Sequence, residues 1–222
     1  MSGRRSELLV NNEIYHVFNR SVADEGIFKG IRSLNRILNL IDFYRFPQKY
    51  RFSFFKRLPL KVKENYLMQI KKLPALVEIY AYAFMPTHYH LLLMQTADRG
   101  IEQFVANFQN SFAKYHNLLR NRHGPVFSRP FKAKRVSSDN EFLHIGRYIH
   151  LNPVTSFLIT PDELENYPYN SFMIYQKKVS NNLINTNPTL KLVRSRSKYV
   201  SFIHNQIDYQ RKLNIIKHLL ME

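Results

Sequence analysis

The chain has 222 residues, of which 45% are hydrophobic, with no cysteine and a net charge of +17. The apolar content is enough for a sizeable core, and the lack of cysteine excludes a disulfide scaffold, a thiolate zinc finger and a cysteine nucleophile. Because the charge excess is spread over the whole chain, we expect a polyanionic partner, with nucleic acid ahead of an acidic membrane. The alternative is a charge that serves solubility alone.

Sequence signals of several other protein classes are missing. Neither GxGxxG nor GxxxxGK(S/T) occurs, so the usual phosphate-binding loops for dinucleotides and nucleoside triphosphates are not expected. No apolar run reaches the roughly 18 residues of a membrane span. Residues 1–13, MSGRRSELLVNNE, lack the apolar core of a signal peptide. We therefore expect a cytoplasmic protein.

The first third of the chain is predicted to contain a strand, a helix and a basic insertion. Residues 13–20 alternate and are rich in β-formers, which predicts a strand. Residues 32–46 have apolar side chains at helical spacing, and Pro47 ends that helix. Residues 47–74 are basic and aromatic, and we predict an insertion there with a short helix near 60–72.

A strand pair, a long helix and a further extended segment follow. Residues 76–85 and 88–95 predict two antiparallel strands joined by a short turn. Apolar residues recur at helical spacing through 101–120, which predicts the strongest helix of the chain. Residues 126–136 predict an extended basic segment.

A capped helix completes the predicted core. Ser138 and Glu141 form the S-x-x-E pattern of a capping box. The helix that it opens is expected to run to about Leu151 and to stop at Pro153. The order strand, helix, strand pair, helix, strand, helix predicts an α+β fold with helices on a ferredoxin-like antiparallel sheet.

Two histidines mark a candidate metal site. His88 and His90 are two residues apart on a predicted strand, so both imidazoles project from the same face. Their ring nitrogens could converge on one divalent ion. An isolated pair of this kind is more often structural than metal-binding.

The capped helix carries a second group of polar residues. His144, Tyr148 and Asn152 are spaced by four and lie along one stripe. A phenol has a pKa near 10, so it acts as a nucleophile at neutral pH only when a metal or a base activates it. The alternatives are a core aromatic for Tyr148 and a C-terminal cap for Asn152, because Pro153 follows.

Other tyrosines are weaker candidates for a nucleophile. Tyr80 and Tyr82 lie in a predicted strand and are expected to be buried. Tyr115 lies on an apolar helical stripe and is assigned to the core. Tyr89 faces away from the two histidines on either side of it. The comparison leaves Tyr148, with its amide and histidine neighbours.

These motifs together resemble a known family. Residues 84–93, FMPTHYHLLL, are similar to the HUH strand of single-tyrosine transposases, and residues 147–154, RYIHLNPV, to the tyrosine helix of the REP-associated branch. Residues 15–20, YHVFNR, and 130–133, PFKA, resemble that family's first strand and the segment before its tyrosine helix. The resemblance covers about residues 14–172.

The resemblance implies a metal-dependent enzyme that cleaves and rejoins single-stranded or hairpin-bearing DNA. Tyr148 would attack a phosphodiester, form a 5′-phosphotyrosine link and release a 3′-OH. His88 and His90 would bind Mg²⁺ or Mn²⁺, Asn152 would be the third, amide-type ligand, and His144 a possible auxiliary. Rejoining would need no ATP, because the phosphotyrosine bond conserves the energy. The enzyme would work as a monomer or a homodimer.

The resemblance also suggests a domain division. Residues 1–172 would be the transposase domain, with 47–74 as an insertion, and residues 173–222 a C-terminal helical extension. The insertion is either an additional DNA contact or a solvated helical segment. The basic residues near the motifs supply candidate DNA contacts, although each of them alone is more often a solvated surface charge. Phe131 could stack on a base. The candidate phosphate contacts are Lys114, Arg120, Arg122, Arg129, Lys132, Lys134 and Arg135.

Three other functions agree less well with the sequence than a transposase. A DNA-binding protein of the same fold without catalysis would need none of His88, His90, Tyr148 and Asn152, yet all four are present. An unrelated basic RNA-binding domain would be expected to carry an RNP-like aromatic motif, which is missing. A two-histidine phosphoesterase needs a second histidine motif, and only one HxH pair occurs.

Overall fold

The computed structural model describes residues 7–128, 130–176, 182–209 and 211. Four strands of the described chain form one antiparallel sheet: β1 (Ile14–Arg20), β2 (Val77–Phe84), β3 (His88–Gln95) and β4 (Lys132–Arg135). Their order is β2-β3-β1-β4. With helices between β1 and β2 and between β3 and β4, this is the ferredoxin-like arrangement, so the predicted fold class is confirmed.

The predicted extended segment at 126–136 is a strand only at its end, in β4. Before it, Phe127 makes an isolated bridge to Ser21. Within the β1–β4 pair, Val17 opposes Ala133 and His16 opposes Lys134. Val17 is buried and Lys134 is exposed, so the two faces of this part of the sheet differ in polarity.

The chain divides into two compact units, and each is described by itself. The first comprises the described residues up to Glu78 with Pro86–His88 and Leu93–Arg135. Its helices are α1 (Ile31–Tyr44), α2 (Phe52–Phe55), α3 (Leu60–Ile70) and α4 (Gly100–Leu119), with a short 3-10 turn at Val22–Asp24. Helix α1 packs on α4, and their apolar stripes are buried as the periodicity predicts.

The insertion at 47–74 is folded onto α1 by aromatic side chains. The ring of Phe43 on α1 lies 5.1 Å from Phe52, 4.9 Å from Phe55 and 6.4 Å from Tyr66. The Tyr66 hydroxyl donates to Gln48 Oε1 at 2.8 Å. The predicted helix near 60–72 is confirmed as α3, and the short helix α2 is an addition that the sequence pattern did not indicate.

The second unit comprises Ile79–Met85, Tyr89–Leu92 and the described residues from Val136 onward. Its helices are α5 (Asp139–Thr155), α6 (Phe172–Gln176), α7 (Asn187–Val193) and α8 (Arg196–His204), with a 3-10 helix at Pro161–Asn166. Residues 177–181, 210 and 212–222 of the predicted C-terminal extension lie outside the described residues.

The start of α5 follows only half of the predicted capping box. The Ser138 hydroxyl accepts a hydrogen bond from the Glu141 N–H at 3.2 Å, as expected. The Glu141 carboxylate accepts from the backbone and hydroxyl of Ser137, at 2.8 Å each. The reciprocal bond is therefore made one residue earlier than the capping box requires.

The end of α5 differs from the prediction. Pro153 lies inside the helix, which continues to Thr155. Proline in the last turn removes a single N–H donor from the helix. The Ser156 N–H and hydroxyl donate to the carbonyl of Asn152 at 3.0 and 2.8 Å and close the final turn.

A buried histidine anchors α5 within the second unit. His150 is 0% exposed, its Nε2 lies 2.8 Å from the Ser171 hydroxyl, and its Nδ1 lies 3.0 Å from the Tyr199 hydroxyl. Burial lowers the pKa of His150 to about 3, so the ring is neutral at physiological pH. Its role is structural, because its two ring nitrogens connect α5 to α8 and to the residue before α6.

Among the described residues, every helix is too short or too polar to cross a bilayer.

Candidate active site

Strand β3 begins with the two histidines. His88 and His90 lie on the same face, while Tyr89 between them is fully buried on the other. His88 Nδ1 lies 3.0 Å from the hydroxyl of Thr87. A hydrogen bond of this kind fixes the tautomer and orientation of an imidazole whose other nitrogen binds a ligand. Sequence reasoning missed Thr87, although its place directly before the HxH pair was a signal.

Helix α5 brings a tyrosine to the second of these histidines. The rings of His90 and Tyr148 meet edge to face, with centroids 5.4 Å apart and planes at 84°. Tyr148 is 43% exposed and His90 is buried. The phenol is therefore accessible beside an imidazole that the fold holds in place, and Tyr148 is not a core aromatic.

The competing tyrosines are less accessible than Tyr148. Tyr80 and Tyr82 are buried, as expected, and Tyr89 is buried as well. Tyr115 is half-buried, not part of the core, and the Arg36 guanidinium lies 5.1 Å from its ring centroid. The assignment of Tyr115 to the core from the apolar stripe of α4 is therefore wrong. In the last turns of the helix that stripe is no longer fully buried.

Two opposing effects act on the Tyr148 phenol. Partial burial raises the pKa of Tyr148, and a hydrogen bond with the Asn152 side chain lowers it by a smaller amount. The pKa therefore lies above the ordinary phenol value near 10. At neutral pH the hydroxyl keeps its proton, so its use as a nucleophile requires activation from outside the side chain.

Asn152 has its place one turn after Tyr148. It is buried, and its side chain hydrogen-bonds the phenol. The alternative of a C-terminal cap is wrong, because the C-cap residue of α5 is Ser156. An amide in this position orients the phenol oxygen.

His144 is held by a neighbour that sequence reasoning missed. The Arg147 guanidinium Nη2 lies 2.7 Å from His144 Nδ1, and its centre lies 4.2 Å from the ring centroid of Phe202 on α8. The His144 ring lies 5.9 Å from the same phenylalanine. These contacts direct His144 toward α8, and they give no support to a role beside Tyr148. The i, i+3 spacing of His144 and Arg147 was the available signal.

A small residue permits close packing of α5. A Cβ at Gly146 would lie 3.3 Å from the Tyr199 hydroxyl and 3.9 Å from a methyl group of Leu92 on β3. The first contact is tighter than ordinary van der Waals packing, so Gly146 suits this approach. The sequence analysis did not single it out.

The residues can be compared with the needs of a divalent metal ion. Among the described residues, no three His, Cys, Asp or Glu side chains cluster as a ligand set. Two imidazoles and an amide oxygen, from His88, His90 and Asn152, are donors that Mn²⁺ accepts, and the amide oxygen also suits Mg²⁺. The chemistry of these donors as a set therefore fits Mn²⁺ better than Mg²⁺. The Thr87 contact to His88 is typical of the surroundings of a metal ligand.

The predicted DNA contacts divide by their burial. Lys114, Arg120, Lys132 and Lys134 are exposed. Phe131 is buried, which argues against its stacking on a base. Arg129 lies outside the described residues.

Two of the predicted arginine contacts are neutralised within the protein. Arg122 forms an ion pair with Glu25, which is also 3.0 Å from His116 Nε2. Arg135 on β4 pairs with Glu13 through its Nε, at 3.0 Å, and its Nη2. Because their charge is already matched, these arginines are weaker candidates for phosphate contacts than the exposed lysines.

Comparisons with known proteins bear on the fold. No protein-family model matches the chain, and no curated protein matches it significantly. Among solved structures, the chain is similar to that of a REP-associated tyrosine transposase bound to a REP hairpin, with a TM-score of 0.51 and 11% sequence identity. The match covers 83% of this chain and 98% of the other. At this identity the likeness shows a common fold.

Proposed function

We propose that the protein is a metal-dependent DNA transposase that cleaves and rejoins single-stranded, hairpin-bearing DNA with Tyr148 as its nucleophile. The observation that carries the proposal is the contact between Tyr148 and His90, because it joins a half-exposed phenol to the HxH strand. The fold that holds them is similar to that of a tyrosine transposase solved with a REP hairpin.

The proposed reaction is a transesterification. The Tyr148 oxygen bonds to the phosphorus of a DNA phosphodiester, and the bond from phosphorus to the 3′-oxygen breaks. The 5′-phosphate remains on the tyrosine. The phenol loses one proton and the departing 3′-oxygen gains one, so no net proton is released. Attack of a 3′-OH on the phosphotyrosine reverses the step and joins strands without a nucleoside triphosphate.

The neighbouring residues have separate parts in this reaction. Asn152 orients the phenol through its hydrogen bond. His88, His90 and Asn152 would hold Mg²⁺ or Mn²⁺, which, when bound, polarises the phosphoryl group. Thr87 fixes the His88 ring. The raised pKa of Tyr148 explains why the phenol is not reactive by itself.

A covalent-adduct assay tests the proposal. Labelled single-stranded hairpin DNAs are incubated with the protein and Mn²⁺ or Mg²⁺, then separated on a denaturing gel. We expect a shifted band that a chelator removes and that Tyr148→Phe lowers by at least about a thousandfold. Tyr209→Phe removes another exposed phenol and should retain the band. DNA binding without an adduct, across a broad hairpin set and both metals, would contradict the proposal.

A further inference from the structure

The insertion at 47–74 carries an unusual density of exposed positive charge. It has eight Lys or Arg and one Glu, a net charge of +7. Seven of the eight basic side chains are exposed, and Lys63 is half-buried. A surface of this kind attracts a polyanion, although a charge run by itself is usually only a solvated face.

The cations of the insertion are not neutralised within the described part of the chain. Five arginines elsewhere have acidic partners among the described residues, for example Arg20 with Asp24, and Arg99 with Glu102. Among the described residues, no ion pair includes any of the eight basic side chains of the insertion. Their charge is therefore open to an external partner.

Two exposed aromatic rings lie among these cations. Tyr50 is 38% exposed and Phe54 is 43% exposed, and their centroids are 5.0 Å apart. The Arg57 guanidinium lies 5.8 Å from the Phe54 ring centroid. Lys49 and Arg51 flank Tyr50 in sequence, Lys56 follows Phe54 by two residues, and all three side chains are exposed. We call these six residues the basic platform.

The platform is held by buried neighbours. Phe52 and Phe55, on either side of the exposed Phe54 in sequence, are buried. They pack on Phe43, as described above. The Tyr50 ring lies 5.1 Å from buried Tyr66, whose hydroxyl accepts from the Lys49 N–H at 3.0 Å. A surface fixed in this way loses little freedom when it binds a ligand.

We propose that the basic platform is a second binding site for single-stranded DNA, separate from the Tyr148 residues, where cations contact phosphates and Tyr50 and Phe54 stack on unpaired bases. Exposed aromatic rings interleaved with cations are the arrangement that binds single strands without sequence preference. The choice of DNA as the polyanion rests on the proposed function.

Two other occupants fit the platform less well. A second copy of the chain would bring like charge against like charge. An anionic membrane would need a helix with separate apolar and basic faces. On α3 the exposed residues Lys61 and Met68 are seven positions apart and share one face, so apolar and basic side chains are mixed there.

The test is the affinity for labelled oligothymidylate, measured by fluorescence anisotropy in the presence of a chelator. Without metal no cleavage is expected, so failure of the proposed reaction cannot produce failure here. Lys49→Gln/Arg51→Gln/Lys56→Gln should weaken binding and reduce the salt slope of log affinity by about 2, because three single-strand phosphate contacts are lost. The matched control removes two Lys and one Arg elsewhere on the exposed surface, as Lys191→Gln/Arg194→Gln/Lys198→Gln.

The aromatic pair is tested separately. Tyr50→Ala/Phe54→Ala should weaken binding about tenfold, keep the salt slope, and reduce the preference for a single strand over a duplex. Tyr50→Phe/Phe54→Tyr keeps both rings and should retain the affinity, which separates stacking from a folding defect. Phe157→Ala/Tyr209→Ala removes two other exposed rings as a control.

Either of two results would overturn the inference. One is equal affinity losses in the platform variants and their matched controls. The other is a loss of binding to phosphatidylserine vesicles, or of self-association, in the platform variants while their affinity for oligothymidylate is unchanged.

Discussion

The candidate active site and the basic platform hold their side chains in opposite ways. Around Tyr148 the functional groups are packed: His90 and Asn152 are buried, and the pKa of the phenol is raised. On the platform the functional groups are exposed, and its four cations have no acidic partner in the described chain. We therefore expect the proposed reaction and the proposed affinity for DNA to have separate structural bases, which substitutions can test one at a time.

The largest expected effect is loss of the reaction with retention of binding. His88→Ala/His90→Ala removes both imidazole donors and should lower adduct formation by at least about a thousandfold. Affinity for oligothymidylate in a chelator should stay within about twofold. The control is His123→Ala, outside β3 and α5. Adduct formation at the wild-type rate in the double variant would show that these histidines do not support the reaction.

Protonation of the buried His150 side chain should lower the stability of the folded protein. His150 has its pKa lowered to about 3 in the folded protein, against about 6.5 when unfolded. The unfolded state therefore binds the extra proton first, and stability falls as the pH drops from 6.5 toward 3, by a few kcal/mol in order of magnitude. Urea midpoints measure the loss. An imidazole NMR signal of His150 that titrates near pH 6.5 would contradict the burial argument.

A smaller effect is expected one step away from the proposed metal. Thr87→Val removes the hydroxyl that contacts His88 Nδ1 and should weaken activation by Mn²⁺ about tenfold. Thr87→Ser keeps the hydroxyl and should behave like the wild type. The measurement is adduct yield against Mn²⁺ concentration. Equal half-saturation in the wild type and Thr87→Val would place the hydroxyl outside the function.

The smallest effect is expected where the charge is already paired. Arg122→Gln/Arg135→Gln removes two cations that contact Glu25 and Glu13. Exposed or half-exposed ion pairs of this kind contribute little to stability, and we expect the affinity for oligothymidylate to fall by less than about twofold. A loss as large as that of the platform cation variant would show that internal pairing does not withhold these arginines from DNA.

The features of the fold and of the candidate site that the sequence predicts are those that depend on the spacing of residues close together in the chain. Periodicity located the strands and main helices, and their order indicated the sheet topology. The histidine pair and the tyrosine–asparagine spacing are also local patterns. That His90 touches Tyr148, 58 residues later in the chain, has no local signal, and only the resemblance to a family placed them in one site.

Contacts between distant residues account for most of what the sequence did not predict. The sequence predicted Arg122 and Arg135 as DNA contacts because it gave no sign of their acidic partners. These partners lie 97 and 122 residues away along the chain. Phe131 was predicted to stack on a base, but it is buried in the folded chain. Its burial depends on residues distant in sequence, so a local pattern does not show it. The continuation of α5 past Pro153 depends on the hydrogen bonds of Ser156, which no helix-stop rule includes.

The most direct test of the central claim is to identify the bond between protein and DNA. Hairpin oligonucleotides labelled on either side of the cleaved position are incubated with the protein and Mn²⁺, and the adduct is digested and analysed by mass spectrometry. We predict that the protein retains the label on the 3′ side, and that the modified peptide carries a 5′-phosphonucleotide on Tyr148. A modification on another residue, or retention of the 5′-side label, would contradict it.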